Sequence, residues 1–198
     1  MKSTALIAFF LILGIISCSD KLRSLDDTAT EVNSVNGEEI SFSKNINYSG
    51  DIFSIAVGGL GSIRYLDIRK SRDGVMLVKY NDELEGMIYG AMVNDLNAND
   101  KPEVLLIVLK NGIAGSAYIV GFELNGKQFK RFELPQPQDD LSYGYEGKDH
   151  FYISKSQLFH EFPIFSGSPV RTENGKRRLV YSLSNDLNFN LEKFEDLK

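Results

Sequence analysis

Cys18 is the only cysteine in this 198-residue chain, and its scarcity excludes more than its presence allows. No disulfide can form within the chain, no dithiol can act as a redox centre, and the fold must hold by packing alone. Histidine is almost as rare. His150 and His160 are the only two, and neither has partners at the spacing that a hydrolytic triad or a zinc site requires. Positive charge is in short supply, with 22 Lys plus Arg against 27 Asp plus Glu, which makes nucleic acid a poor partner. No window after Ile16 sustains the i, i+3, i+4, i+7 apolar spacing of a helix. Phosphate-cradling loops are missing too: Gly58-Gly59-Leu60-Gly61 lies between two β-prone runs, opens no helix and reads as a bend. These absences predict a protein that is not an enzyme. The one catalytic device a sequence cannot reveal is a pair of carboxylates brought together in space, and nothing singles out a pair among 27 acids.

What is present starts at the N-terminus. Lys2 supplies a short positive region, and Ala5 to Ile16 supply twelve mostly apolar residues. That run is shorter than the roughly 20 residues needed to span a bilayer, and it suits a signal-peptide core. Ile15-Ile16-Ser17-Cys18 then has the residue order of a bacterial lipobox: a small side chain where the peptidase pocket is narrow, followed by the thiol that receives the lipid. The sequence therefore predicts a lipoprotein signal peptide over 1–17, lipidation at Cys18, and membrane attachment through acyl chains. Ser19, rather than Asp, follows the cysteine and points to the outer membrane, with the domain facing the periplasm or the cell surface. Cleavage after Ser17 removes Lys2 only, so the basic count falls from 22 to 21 and the net charge moves from −5 to −6.

Residues 18–44 are rich in Ser, Asp, Thr, Asn and Glu and read as a flexible tether. Residues 45–198 read as one domain, long enough to bury a core without staples. Within it, short β-prone runs alternate with turn residues: 51–57, 62–69, 75–80, 87–93, 103–109, 116–124, 128–134, 150–154, 157–163 and 178–183. Asn125-Gly126 is the strongest hairpin signal, and Asn174-Gly175 reads as a second tight turn. Ile63, Tyr65 and Asp67 should face one way and Arg64, Leu66 and Ile68 the other. Val104 to Leu109 is apolar without interruption, as expected of a central strand buried on both faces. The predicted fold is all-β: a single antiparallel β-sandwich of about ten short strands with no substantial helix.

The sharpest local pattern is Asp95-Leu96-Asn97-Ala98-Asn99-Asp100-Lys101-Pro102-Glu103. Oxygen-bearing side chains at Asp95, Asn97, Asn99 and Glu103, with a carbonyl near Lys101, follow the ligand order of a calcium loop. Asp100 stands where such loops place Gly, and Leu106 where an EF-hand needs Glu, which excludes an EF-hand. Two readings remain open: a weak Ca²⁺ site, or a hairpin loop whose Asx side chains bond to their own backbone. The pattern occurs once, so a propeller of such repeats is not expected.

Taken in order, several segments resemble the periplasmic inhibitors of invertebrate-type lysozyme. They are Gly61-Ser62-Ile63-Arg64-Tyr65, the Asp95–Glu103 loop before an aliphatic strand, Gly112-Ile113-Ala114-Gly115-Ser116-Ala117-Tyr118, Leu158-Phe159-His160-Glu161-Phe162-Pro163-Ile164-Phe165 and Lys176-Arg177-Arg178-Leu179-Val180-Tyr181. The resemblance implies a β-sandwich, often dimeric, that blocks lysozyme by inserting loops into the substrate cleft, with a Ser-Gly-x-Tyr motif among its contacts. Aligned on Tyr118, the family's Ser falls on Gly115 and its Gly on Ser116. Gly115, Ser116 and Tyr118 thus become the implied lysozyme contacts. If residue 116 is already extended, Ser116 and Tyr118 share a strand face, and Gly115→Ser would restore the family's hydroxyl position. A lipid-anchored module that binds glycan or calcium without inhibiting lysozyme is the alternative from a different class.

Overall fold

The run Glu103–Leu109 organises the molecule because its side chains feed two separate cores. Val104, Leu106 and Val108 join one apolar cluster, while Leu105 and Ile107 join another. Successive side chains of a strand point to opposite faces, so both faces of this strand are covered by protein.

The computed structural model describes residues 33–110, 115–167 and 170–198. Cys18, the apolar run before it and most of the predicted tether lie outside the described residues. Thirteen strands follow in order: β1 (Ser34–Val35), β2 (Glu38–Tyr48), β3 (Asp51–Gly58), β4 (Ile63–Arg72), β5 (Val75–Glu85), β6 (Met87–Asn94), β7 (Glu103–Leu109), β8 (Ala117–Asn125), β9 (Gln128–Glu133), β10 (His150–Ser154), β11 (Gln157–Ser166), β12 (Thr172–Leu183) and β13 (Phe189–Leu197). The only helical element among the described residues is a short 3-10 turn, Asp139–Ser142. The strands form three antiparallel sheets, each of sequence neighbours: β1-β2-β3-β4-β5, β6-β7-β8-β9 and β10-β11-β12-β13. Phe53, Ile55, Leu66 and Ile68 of the first sheet pack on one face of the middle sheet. Phe151, Leu158, Phe162 and Leu179 of the third pack on the other.

The all-β class is as predicted, and where the sequence predicts a sandwich of about ten strands, the described residues form three sheets and thirteen strands. Each of the three added strands has an identifiable cause. Asn36-Gly37 is a two-residue turn with both residues at positive φ, 52° and 80°, which pairs Val35 with Glu38 and starts the sheet inside the segment expected to be tether. In β2, Ile40, Phe42, Ile46 and Tyr48 alternate with polar residues and are half-buried, so the domain begins before residue 45. β13 is an edge strand whose alternation slips at a register shift opposite Val180 and Tyr181, which hides its period. Asn174-Gly175 is not a turn. It lies inside β12, where the register against β11 shifts between Pro163 and Phe165 and Gly175 has φ 91°, the signature of a bulge. The Asn125-Gly126 hairpin forms one residue along: Asn125 pairs with Gln128, leaving Gly126-Lys127 as the loop, with Gly126 at φ 64°.

Packing in the second core has one strict requirement. Leu105, Gly121 and Phe132 lie side by side across β7, β8 and β9, and a methyl group on Gly121 would overlap the Phe132 ring. On β4 the predicted faces hold, with Leu66 and Ile68 fully buried. Asp67, on the opposite face, is only 3% exposed and binds Arg69 at 2.7 Å and Lys79 at 3.1 Å. Burial alone would raise its pKa, but the hydrogen bonds and charge of Arg69 and Lys79 prevail and hold the carboxyl below its ordinary value.

Candidate functional site

The β7–β8 connection is closed at its base by the Lys110 amide, which donates to Ser116 O at 2.8 Å. Gly115 has φ 75°, and its carbonyl accepts the amides of Lys148 at 2.7 Å and Asp149 at 3.3 Å. Residues 111–114 of the sequence-identified segment lie outside the described residues. Ser116 precedes the strand and is 1% exposed. Its Oγ meets Tyr145 Oη at 2.9 Å, and Tyr145 Oη donates to Asp149 Oδ2 at 2.6 Å, so the serine hydroxyl is the donor to tyrosine.

Asp149 is the hub. Its Oδ2 also accepts the Ala117 amide at 2.7 Å, and its Oδ1 accepts from His160 Nε2 at 2.5 Å. Both side chains are essentially sealed from water, at 0% exposure for Asp149 and 1% for His160. His160 is stacked on Phe151 at 4.3 Å between ring centroids, and Tyr145 meets Phe162 edge-on at 4.9 Å. Burial, then donation to the Asp149 carboxylate, pushes the Tyr145 phenol well above its ordinary pKa. Tyr89, on β6, reaches over to donate to Asp149 O at 3.2 Å.

This chain of Ser, Tyr, Asp and His does not have the connectivity of a hydrolytic triad. The serine bonds to a phenol rather than an imidazole, and the histidine is reached only through the carboxylate. Cavities of about 630 Å³ (Val35, Tyr65, Lys79, Asp82) and about 270 Å³ (Pro135, Leu141, Tyr181, Phe189) are lined by other residues. His150 pairs across the strands with Glu161, and His160 with Phe151, so the two histidines do not converge. The network is a brace that fixes the start of β8 to the segment before β10.

One sequence expectation changes accordingly. Ser116 and Tyr118 do not share a face: Ser116 turns toward Tyr145, which packs with the second core, whereas Tyr118 packs against the first. Ser116 lies before β8, which begins at Ala117, so the alternation of the strand does not reach it. Tyr118 is half-buried, and its Oη donates to Glu85 O at 2.7 Å. Exposed apolar side chains gather at this end of the sheets. Met87 pairs with Leu109, Ile63 pairs with Glu85, and Met87, Ile63 and Tyr89 are 47%, 52% and 42% exposed.

The Asp95–Glu103 loop lies between β6 and β7. Asp95 Oδ1 accepts the Asn99 amide at 3.1 Å, Asp95 Oδ2 the Asp100 amide at 2.9 Å, and Asn99 Oδ1 the Lys101 amide at 2.8 Å. These are the Asx bonds of the hairpin-loop reading. Asp100 takes the left-handed conformation at φ 63°, and so does Ala98 at φ 55°. Glu103 is fully buried, with Oε2 accepting the Leu96 amide at 2.8 Å. Burial, opposed by backbone donors and reinforced by Glu123 and Asp95, pushes its pKa up to about 8. Glu123, which the sequence pattern did not single out, accepts the side-chain amides of Asn97 at 3.2 Å and Asn99 at 2.8 Å. Among the described residues, no three His, Cys, Asp or Glu side chains are grouped to hold a metal ion by themselves.

No family model and no curated protein matches this chain.

Proposed function

We propose that this chain is a lipid-anchored inhibitor of lysozyme, of the invertebrate-type class in the first instance, which blocks the substrate cleft with the 111–115 connection. The carrying observation is that the base of that connection is held, residues 115–117 by the Asp149 brace and Lys110 by its amide bond to Ser116 O, beside an exposed rim of Ile63, Met87 and Tyr89. A loop whose base is held before binding loses less entropy on insertion. The target class comes from the order of the segments that resemble the inhibitor family, and the anchor from the lipobox ending at Cys18. The net negative charge favours fast encounter with a cationic lysozyme.

The buried hydroxyl of Ser116 supports the loop and is not offered to a cleft. The contact role therefore passes to Tyr118, Tyr89 and the loop itself. Gly115→Ser, which restores the family's hydroxyl position, should weaken rather than strengthen the protein. A Cβ at Gly115 would sit 3.2 Å from Lys148 N at a positive φ.

The test is an inhibition panel of lysozyme classes against the mature chain with Cys18→Ser. Tyr118→Ala should weaken inhibition by about 2 kcal/mol or more if the ring is a central anchor, with thermal melting to exclude a folding defect. A folded wild-type chain that leaves invertebrate-type lysozyme fully active at micromolar excess refutes the proposal. Sedimentation of the same material tests the homodimer that the resemblance implies.

A further inference from the structure

Glu103 and Glu123 stand directly opposite one another on β7 and β8, at 0% and 5% exposure. Directly opposed residues bring their Cβ atoms to about 4.5–5.5 Å, and like charges so placed repel. Asp95 adds a third negative group at the same end of the strands. Among the described residues, no Lys or Arg forms an ion pair with any of the three, although Asp51 and Asp67 elsewhere are each held by two cations. Backbone and amide donors occupy one oxygen of Glu103 and one of Glu123. Glu103 Oε1 is buried and has no hydrogen-bond partner. A sealed carboxylate oxygen next to a second buried carboxylate needs a positive counter-charge.

We propose that a divalent cation, calcium by the all-oxygen character of the site, binds between Glu103 Oε1 and Glu123, with further oxygens from the Asp95–Asn99 loop. The ligand set is two carboxylates with amide and backbone oxygens rather than three acids, which calcium accepts because it takes six to eight oxygens in flexible geometry. Glu123 is the new member. It closes the site from the neighbouring strand, where the Asp95 pattern gave no hint of it. Binding there would tie β6, β7 and β8 together at the end of the middle sheet remote from the 111–115 connection. This inference is independent of lysozyme inhibition.

The test uses the mature Cys18→Ser chain at pH 8. Tyr48 Oη accepts the Asp95 amide at 3.2 Å, so terbium bound at the site should luminesce when tyrosine is excited, and calcium should quench that signal by displacement. In 10 mM calcium the melting temperature should rise by roughly 3–6 °C over chelator, as expected for a site of about millimolar affinity. Glu123→Gln and Glu103→Gln should each abolish both responses, and Glu133→Gln, an exposed acid on β9, should leave both intact. If either buried variant fails to fold, Asp95→Asn carries the same comparison, and Tyr48→Phe should dim terbium without changing the calcium shift. The proposal fails if neither terbium luminescence nor a calcium shift is seen, which would leave a shared proton as the counter-charge. It also fails if both responses survive in the Glu123 and Glu103 variants, since the ion would then sit elsewhere.

Discussion

Replacing Asp149 with alanine should be among the most damaging single changes in the protein. The carboxylate accepts three hydrogen bonds, from Tyr145, from the Ala117 amide and from His160, at zero side-chain exposure. Tyr145 can redirect its proton, and His160 can move its proton to Nδ1, which is itself buried without a partner. The Ala117 amide has no such escape. Each orphaned buried donor costs about 1–3 kcal/mol, so the total loss should be about 3–6 kcal/mol, a large share of the roughly 5–15 kcal/mol that holds a domain together. For a chain of this size that corresponds to a fall in melting temperature of about 10–20 °C. Asp149→Asn, which keeps one acceptor oxygen, should lose about half as much. Circular dichroism melts of the mature Cys18→Ser chain measure the loss, and amide hydrogen exchange locates it. Ala117 and Lys148 should lose protection before the middle of β7 does. If Asp149→Ala melts within about 2 °C of wild type, or the Ala117 amide stays as protected as that of Val120, the brace is not holding the connection and the reasoning is wrong.

Other perturbations probe separate parts of the structure. Gly121→Ala drives a methyl into the Phe132 ring and should destabilise by about 1–3 kcal/mol through overpacking; Gly121→Ala combined with Phe132→Leu should recover part of the loss in the same melt, and no recovery would mean the clash is not the cause. Asp67 has a folded pKa below its unfolded value, so its contribution is present above the unfolded value near 4 and is lost as the pH falls through the folded value. Asp67→Asn should therefore be less stable than wild type at pH 7 and close to it at pH 2–3, and acid titrations of the two proteins that run parallel throughout would refute this. Cys18→Ser in the full-length precursor should abolish acyl labelling and membrane fractionation, because the thiol is the predicted attachment point; retained labelling refutes the lipid anchor.

Strands were legible where burial and sequence period agree. β7 is apolar on both faces, and its bounds follow directly from the run that precedes Lys110. β2 was harder because Lys44 interrupts its alternating half-buried side chains; it reaches across to donate to Ala91 O at 2.9 Å. The brace was not legible, since Asp149 and Tyr145 lie in an aperiodic stretch and meet Ser116 only through the fold. A hint was present in His160, a polar ring within the apolar run of β11, which required some partner. Glu103 and Glu123 carried the same kind of signal, as acids at the edge of otherwise apolar strands, but only register revealed that they face each other.

Each sheet is assembled from strands that follow one another in the chain, so every sheet can form from local hairpins as its residues become available. The middle sheet differs from its neighbours in exposing two apolar faces rather than one. A chain that emerges N-terminus first can cover one of them at once with the sheet already made, but the other stays open until residues 150–183 arrive and dock. That interval is when the protein is most prone to aggregate. A chain cut after Glu133 would remain in it permanently, so the third sheet serves as the lid on a core it does not itself begin.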